Sequence, residues 1–182
     1  MGSWKTLGTK IIYANKWLSL REDDVTMPNG EKGIYSMVEL PHSFIHLIAV
    51  TNEDEFLLVE QYRYPLQQNT WEVVAGGMED RESPEAAAKR ELLEESGYTT
   101  DTFTKIGEIF ADTSIIPTKG HVFIAENAKK VSNELDEVDG IIQVKAFPAD
   151  TVHKMIIEGK IMCPHSISAF YLAKAYLERK DI

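Results

Sequence analysis

Between Gly76 and Tyr98 the chain reads GGMEDRESPEAAAKRELLEESGY, and these 23 residues place three carboxylates where an ordinary surface helix would not want them. Ser83 is a good N-cap, Pro84 suits the first helical position, and Gly97 suits the C-terminal stop. At 100° per residue, Glu94, Glu91 and Glu95 fall within one arc of about 100°. They occupy the last turns, where the helix dipole is negative and Lys or Arg is preferred. Glu91 and Glu95 are also a like-charge i,i+4 pair, which adds repulsion. Two local rules are broken in one place, which points to function. Divalent cations held by oxygen ligands remove the conflict.

The spacing is Gly76, five residues, Glu82, seven residues, then Arg90-Glu91-Leu92-Leu93-Glu94-Glu95-Ser96-Gly97. It matches every fixed position of the Nudix box, and the chain resembles Nudix hydrolases. That resemblance implies cleavage of a nucleoside diphosphate linked to another moiety, with Mg²⁺ or Mn²⁺ as cofactor. Upstream, Leu57-Leu58-Val59-Glu60-Gln61-Tyr62-Arg63-Tyr64-Pro65 and Trp71-Glu72-Val73-Val74-Ala75-Gly76 resemble the ADP-ribose and nucleoside diphosphate sugar pyrophosphatase branch. Where that branch usually has a Ser-Pro-Gly turn after the box, this chain has Phe110-Ala111-Asp112-Thr113-Ser114, with Thr113 in the place of the proline. A nucleotide-sugar range broader than ADP-ribose is therefore at least as well supported. Hydrolysis of other nucleotides, or binding without cleavage, stays open at this point.

Carried over residue by residue, the resemblance makes Glu91 and Glu95 the main metal ligands and gives Glu94 a share in a further ion. The Ala75 carbonyl completes the coordination. Arg90 is expected to orient the glutamates by charge-assisted bonds, and Glu82 to anchor the loop over the helix. Gly76 and Gly77 let the backbone approach a ligand closely. Arg63 and Glu72 stand where relatives contact substrate, the first suited to a phosphate and the second to hydroxyl or base nitrogen donors. Their alternative is a structural ion pair. For the general base, the acidic stretch from Asn133 to Gly140 makes Glu137 the first choice and Glu134 the second, against a plain solvated turn. The five histidines show no metal-ligand spacing and receive no catalytic role. Cys163, the single cysteine, reads as a small buried hydrophobe and fits a reducing compartment.

Elsewhere the chain supplies the scaffold. With 182 residues it suits one domain plus a small appendage. No apolar run approaches the ~20 residues that span a bilayer, and no signal peptide is visible, so the expectation is a cytoplasmic protein without a membrane partner. A net charge of −10 argues against a nucleic-acid backbone as partner. It leaves a phosphorylated small molecule open, because bound cations reverse the local sign. The expected architecture is α/β (α+β): an α/β/α sandwich around a mixed sheet, spanning 42–182, with an antiparallel β segment over 1–41. Within that segment Pro28-Asn29-Gly30 forms a turn. The segment is expected to pair two subunits as a homodimer, because a lone hairpin is marginal.

Overall fold

A computed structural model of the chain describes residues 2–134 and 140–180. The elements run β1 (Lys5–Ala14), β2 (Ser19–Thr26), β3 (Lys32–Glu39), β4 (Phe44–Thr51), β5 (Phe56–Arg63), β6 (Gln68–Glu72), β7 (Val74–Gly77), α1 (Pro84–Ser96), β8 (Tyr98–Thr99), β9 (Thr102–Asp112), β10 (Ile116–Lys130), β11 (Ile141–Phe147), α2 (Ala149–Ile157) and α3 (Pro164–Lys180). Backbone proximity divides them into two units, 1–43 with 110–119, and 44–109 with 120–182.

The first unit is an antiparallel sheet in the order β1-β2-β3. The turn at Pro28-Asn29-Gly30 is where the sequence places it: Gly30 adopts φ 90° and its N–H donates to Met27 O. The tip between β9 and β10 belongs to the same unit. Val38 N–H donates to Ile115 O at 2.7 Å, and Tyr35 Oη donates to Ser114 O at 2.7 Å. Asp112 shapes that tip by accepting the backbone N–H groups of Ser114 and Ile115 at 2.7 and 2.9 Å. The Ser114 hydroxyl, which also donates to Asp112, and then these two N–H groups hold its carboxyl below the usual carboxylate range.

The second unit is built on a mixed sheet in the order β11-β5-β4-β10-β8, with β6 beside β5, β7 beside β4 and β9 beside β10. Strands β4 and β10 are parallel; β4 with β7 and β5 with β6 and β11 are antiparallel. β4 reads FIHLIAVT and is buried on both faces, as its nearly continuous apolar run requires. Alternation then sorts its side chains. Ile45, Leu47 and Ala49 pack with Ala87, Ala88 and Leu92 of α1. Ile48 and Val50 pack with Val152 and Met155 of α2 and with Ala169, Phe170 and Ala173 of α3. β10 splits in the same way, Phe123 and Ala125 to one cluster and Val122 and Ile124 to the other. The result is a sheet between helices, as expected. Among the described residues no helix is long and apolar enough to cross a membrane.

Two strand boundaries are set by pairing rather than by apolar pattern. The apolar stretch Trp71–Val74 does not make one strand: the chain makes β6 and β7, with Val73 between them. Gln68, Asn69 and Thr70 carry no apolar signal, and pairing with Arg63, Tyr62 and Gln61 of β5 makes them a strand. β1 likewise begins at the polar Lys5, held by its pairing with β2.

Candidate active site

Helix α1 starts and stops by the chemistry the sequence announces. Ser83 has extended φ/ψ and its Oγ accepts the N–H of Ala86 at 3.2 Å, with Pro84 opening the helix. Gly97 closes it at φ 71°, donating to Leu93 O at 2.8 Å. A β-carbon at Gly97 would come within 2.2 Å of Ser132 O, so no other residue fits. No basic residue stands in the last turn to offset the dipole.

Glu91 and Glu95 are almost completely buried, at 5% and 3% exposure, whereas the Glu94 side chain is 45% exposed. Glu95 reaches the sheet, where one carboxylate oxygen accepts the N–H of Ala75 at 3.0 Å. Ala75 in turn stands opposite His46 in the β4–β7 ladder. Glu91 lies against Gly76 so closely that a β-carbon there would sit 2.0 Å from its Oε1. The glycine is needed for approach rather than for a turn.

Arg90 ties the group together. Its Nε and Nη2 donate to the two oxygens of Glu82, each at 3.0 Å. Nη1 donates to Glu91 at 2.7 Å and Glu94 at 2.9 Å, and Nη2 also donates to Gly77 O at 2.9 Å. The Glu82 carboxylate also accepts the N–H of Glu79 at 2.9 Å, which closes the loop between β7 and α1. Arg81 in that loop holds φ 65°, a conformation a non-glycine residue keeps only when its surroundings impose it. Hydrogen bonding to Glu82 first, then to Glu94 and Glu91, raises the guanidinium above its ordinary pKa against the opposing effect of burial. The same Arg90 bonds hold the Glu82 carboxyl below the usual carboxylate range.

One guanidinium thus faces three carboxylates, and its best geometry is spent on Glu82. Glu91 and Glu95 bring two nearly buried carboxylates to one guanidinium, and a cation is what this donor set fits. Oxygen atoms alone, two of them on nearly buried carboxylates beside a glycine-walled approach, match a hard divalent ion.

Arg63 and Glu72, at the β5–β6 hairpin, form a bidentate pair: Nε to Oε1 at 2.7 Å and Nη2 to Oε2 at 2.6 Å. Glu72 is buried and the Arg63 side chain is 41% exposed. Among the described residues, Arg63 Nη1 has no hydrogen-bond partner. Glu134 is exposed on the stretch after β10, its backbone N–H bonded to Ser132 Oγ at 3.0 Å. Glu137 lies outside the described residues. A cavity of about 640 Å³ within the first unit is lined by Glu39, His42 and Lys119 among others; none of these acidic box residues lines it.

One grouping escaped the sequence reading. His46, Cys163 and His165 come together although 117 positions separate the first two, and no local spacing signals it. Cys163 is half-buried rather than buried.

Two family models match: "NUDIX domain" over residues 41–162 and "Nucleoside diphosphate sugar hydrolase N-terminal domain" over residues 4–38. An ADP-ribose pyrophosphatase of Bacillus subtilis (strain 168) is 34% identical over 154 residues, covering 84% of this chain and 82% of the relative. A methanol dehydrogenase activator of Bacillus methanolicus is 32% identical over 179 residues, covering 97% and 94%. In three dimensions a crystal structure of an ADP compounds hydrolase superposes with a TM-score of 0.87, covering 99% of this chain and 97% of that one. Its identity is 18%, so it speaks for the fold alone. Family match, fold and box geometry agree: the chain belongs to the Nudix hydrolases, enzymes that work with divalent metal ions.

Proposed function

We propose that this Nudix hydrolase cleaves the pyrophosphate bond of nucleoside diphosphate sugars, ADP-ribose among them, to a nucleoside monophosphate and a sugar phosphate. The observation that carries the reading is the nearly buried pair Glu91 and Glu95 on α1, held against Ala75 and Gly76 with Arg90 bonded to Glu91. The N-terminal match to a nucleoside diphosphate sugar hydrolase model and the ADP-ribose pyrophosphatase relative support the substrate class.

Glu91, Glu94, Glu95 and the Ala75 carbonyl would hold magnesium or manganese. When bound, such an ion neutralises pyrophosphate oxygens and lowers the pKa of a water. Arg90 keeps the carboxylates aimed, and Glu82 keeps Arg90 in place. Gly76 and Gly77 leave the approach to Glu91 open. Arg63, clamped by Glu72 through Nε and Nη2, retains Nη1 for a substrate phosphate. Glu72, its two oxygens engaged, acts here as the residue that positions Arg63. Glu137, with Glu134 as second choice, is the general base. Replacing the true base by Gln lowers kcat much more than it changes KM.

The substrate reading is tested by incubating the protein with ADP-ribose, GDP-mannose, UDP-glucose and nucleoside triphosphates, with Mg²⁺ or Mn²⁺ in ¹⁸O-labelled water. Nucleoside monophosphate plus sugar phosphate from a diphosphate sugar is the expected outcome. Turnover of triphosphates alone would contradict it.

The assembly is proposed as a cytoplasmic homodimer with no nucleic-acid or membrane partner. Its support is on the first unit, where Trp4, Leu7, Ile11, Ile12, Tyr13 and Ile34 are all at least half exposed. A three-stranded sheet showing that much apolar surface has unmet burial. Light scattering is expected to give twice the chain mass, and Ile11→Glu with Leu7→Glu to shift it toward the monomer. A wild-type monomer at micromolar concentration would refute the pairing.

A further inference from the structure

We infer that His46, Cys163 and His165 form a second cation site, of zinc type, whose chemistry differs from that of the α1 carboxylates. One ring nitrogen from each histidine and the cysteine sulfur lie within 4.8 Å of one another. A tetrahedral ion with bonds of about 2.0–2.3 Å holds its ligands roughly 3.5 Å apart, so small side-chain rotations close the set. Two imidazoles and one thiolate select a borderline-soft ion over magnesium. Three protein ligands also leave a fourth position for water or an external ligand.

The independent observation lies in His46. It is 7% exposed, and its Nδ1 is buried without a hydrogen-bond partner among the described residues. Buried imidazole nitrogens are ordinarily satisfied, and an orphan here beside a thiol and a second imidazole marks a place for a ligand.

The scaffold places the three groups firmly. His46 is on β4 with the parity of Ile48 and Val50, which pack toward α2 and α3. Cys163 directly precedes α3 and His165 lies in its first turn, with Cys163 O accepting the N–H of Ile167 at 3.1 Å. The rings of Phe44, His46 and His165 meet at 5.1–5.5 Å, which fixes both imidazoles. Arg63 is held on the β5–β6 hairpin by its bidentate bond to Glu72. The site also adjoins the proposed reaction centre. His46 stands opposite Ala75, whose N–H binds Glu95, and Arg63 is influenced by both Cys163 and Glu95. Occupancy is therefore expected to alter substrate binding at Arg63.

The test uses full-length, tag-free protein with a phosphine reductant and saturating Mg²⁺ to occupy the carboxylates. Titration with Co²⁺ is expected to give a thiolate-to-cobalt charge-transfer band in the near ultraviolet that saturates at one equivalent and is displaced by Zn²⁺. Cys163→Ser, nearly isosteric, is expected to abolish the band and weaken Zn²⁺ binding at least tenfold, with an unchanged melting curve. In wild-type protein Zn²⁺ is expected to shift the imidazole resonances of His46 and His165 but not those of His153. No band at one equivalent, a band that survives in Cys163→Ser, or unshifted His46 and His165 resonances would each overturn the proposal. Because the band reports the thiolate alone, its absence leaves the carboxylate reading untouched, and inactivity toward nucleotide sugars leaves this one untouched.

Discussion

Glu95→Gln is expected to lower turnover of a nucleoside diphosphate sugar by about a thousandfold while the protein stays folded. Glutamine keeps the shape and can still accept the Ala75 N–H that Glu95 accepts at 3.0 Å. What it removes is a full negative charge at a nearly buried point. Ion-mediated stabilisation of a phosphoryl transition state is worth several kcal/mol, and about 4 kcal/mol corresponds to about three powers of ten in rate. Stability should change by no more than about 1–2 kcal/mol, and a gain is as admissible as a loss, because a buried charge has gone. Steady-state kinetics over a range of Mg²⁺, with a thermal melt as control, make the comparison. Activity within a factor of ten of wild type, in a folded protein, would remove Glu95 from the ligand set.

Arg90→Met should produce a large loss of stability. Methionine retains a long apolar stem but deletes the charge and all five donor contacts, to both oxygens of Glu82, to Glu91, to Glu94 and to Gly77 O. The carboxylates left behind repel one another, and Glu91 cannot turn to water. Breaking a fully buried pair costs about 3–5 kcal/mol; with the Arg90 side chain 24% exposed, about 2–4 kcal/mol is appropriate. For a chain of this size that is a drop of about 5–15 °C in Tm. If the carboxylates take up divalent ions, millimolar MgCl₂ should restore part of the loss in Arg90→Met, and NaCl at equal ionic strength should not. Equal recovery in both salts would mean plain screening.

Much of this was legible because the decisive groups are close in sequence. A helix fixes the relative directions of Glu91, Glu94 and Glu95, and Ser83, Pro84 and Gly97 mark its ends, so the carboxylate arc followed from spacing alone. The apolar runs of β4 and β5 are local signals of the same kind, and both strands are largely buried. What escaped depends on contacts between distant segments. Gln68 to Thr70 becomes a strand only through β5, and the tip at Ser114–Ile115 joins β3 by bonds across more than seventy positions. Arg63 and Glu72 were expected near substrate, with an ion pair as the alternative. The β5–β6 hairpin produces that pair through Nε and Nη2. His46, Cys163 and His165 were beyond any local rule, since only the packing of α3 on β4 unites them.

The account rests on α1 holding divalent ions by its carboxylates, and manganese reports this directly, because the electron paramagnetic signal of free Mn²⁺ disappears on binding. Titrated in the presence of a non-hydrolysable ADP-ribose analogue, the wild-type protein should take up Mn²⁺, and Glu95→Gln should bind it about 10–100-fold more weakly. Equal uptake by the two proteins, or no uptake by the wild type with or without the nucleotide, would contradict it.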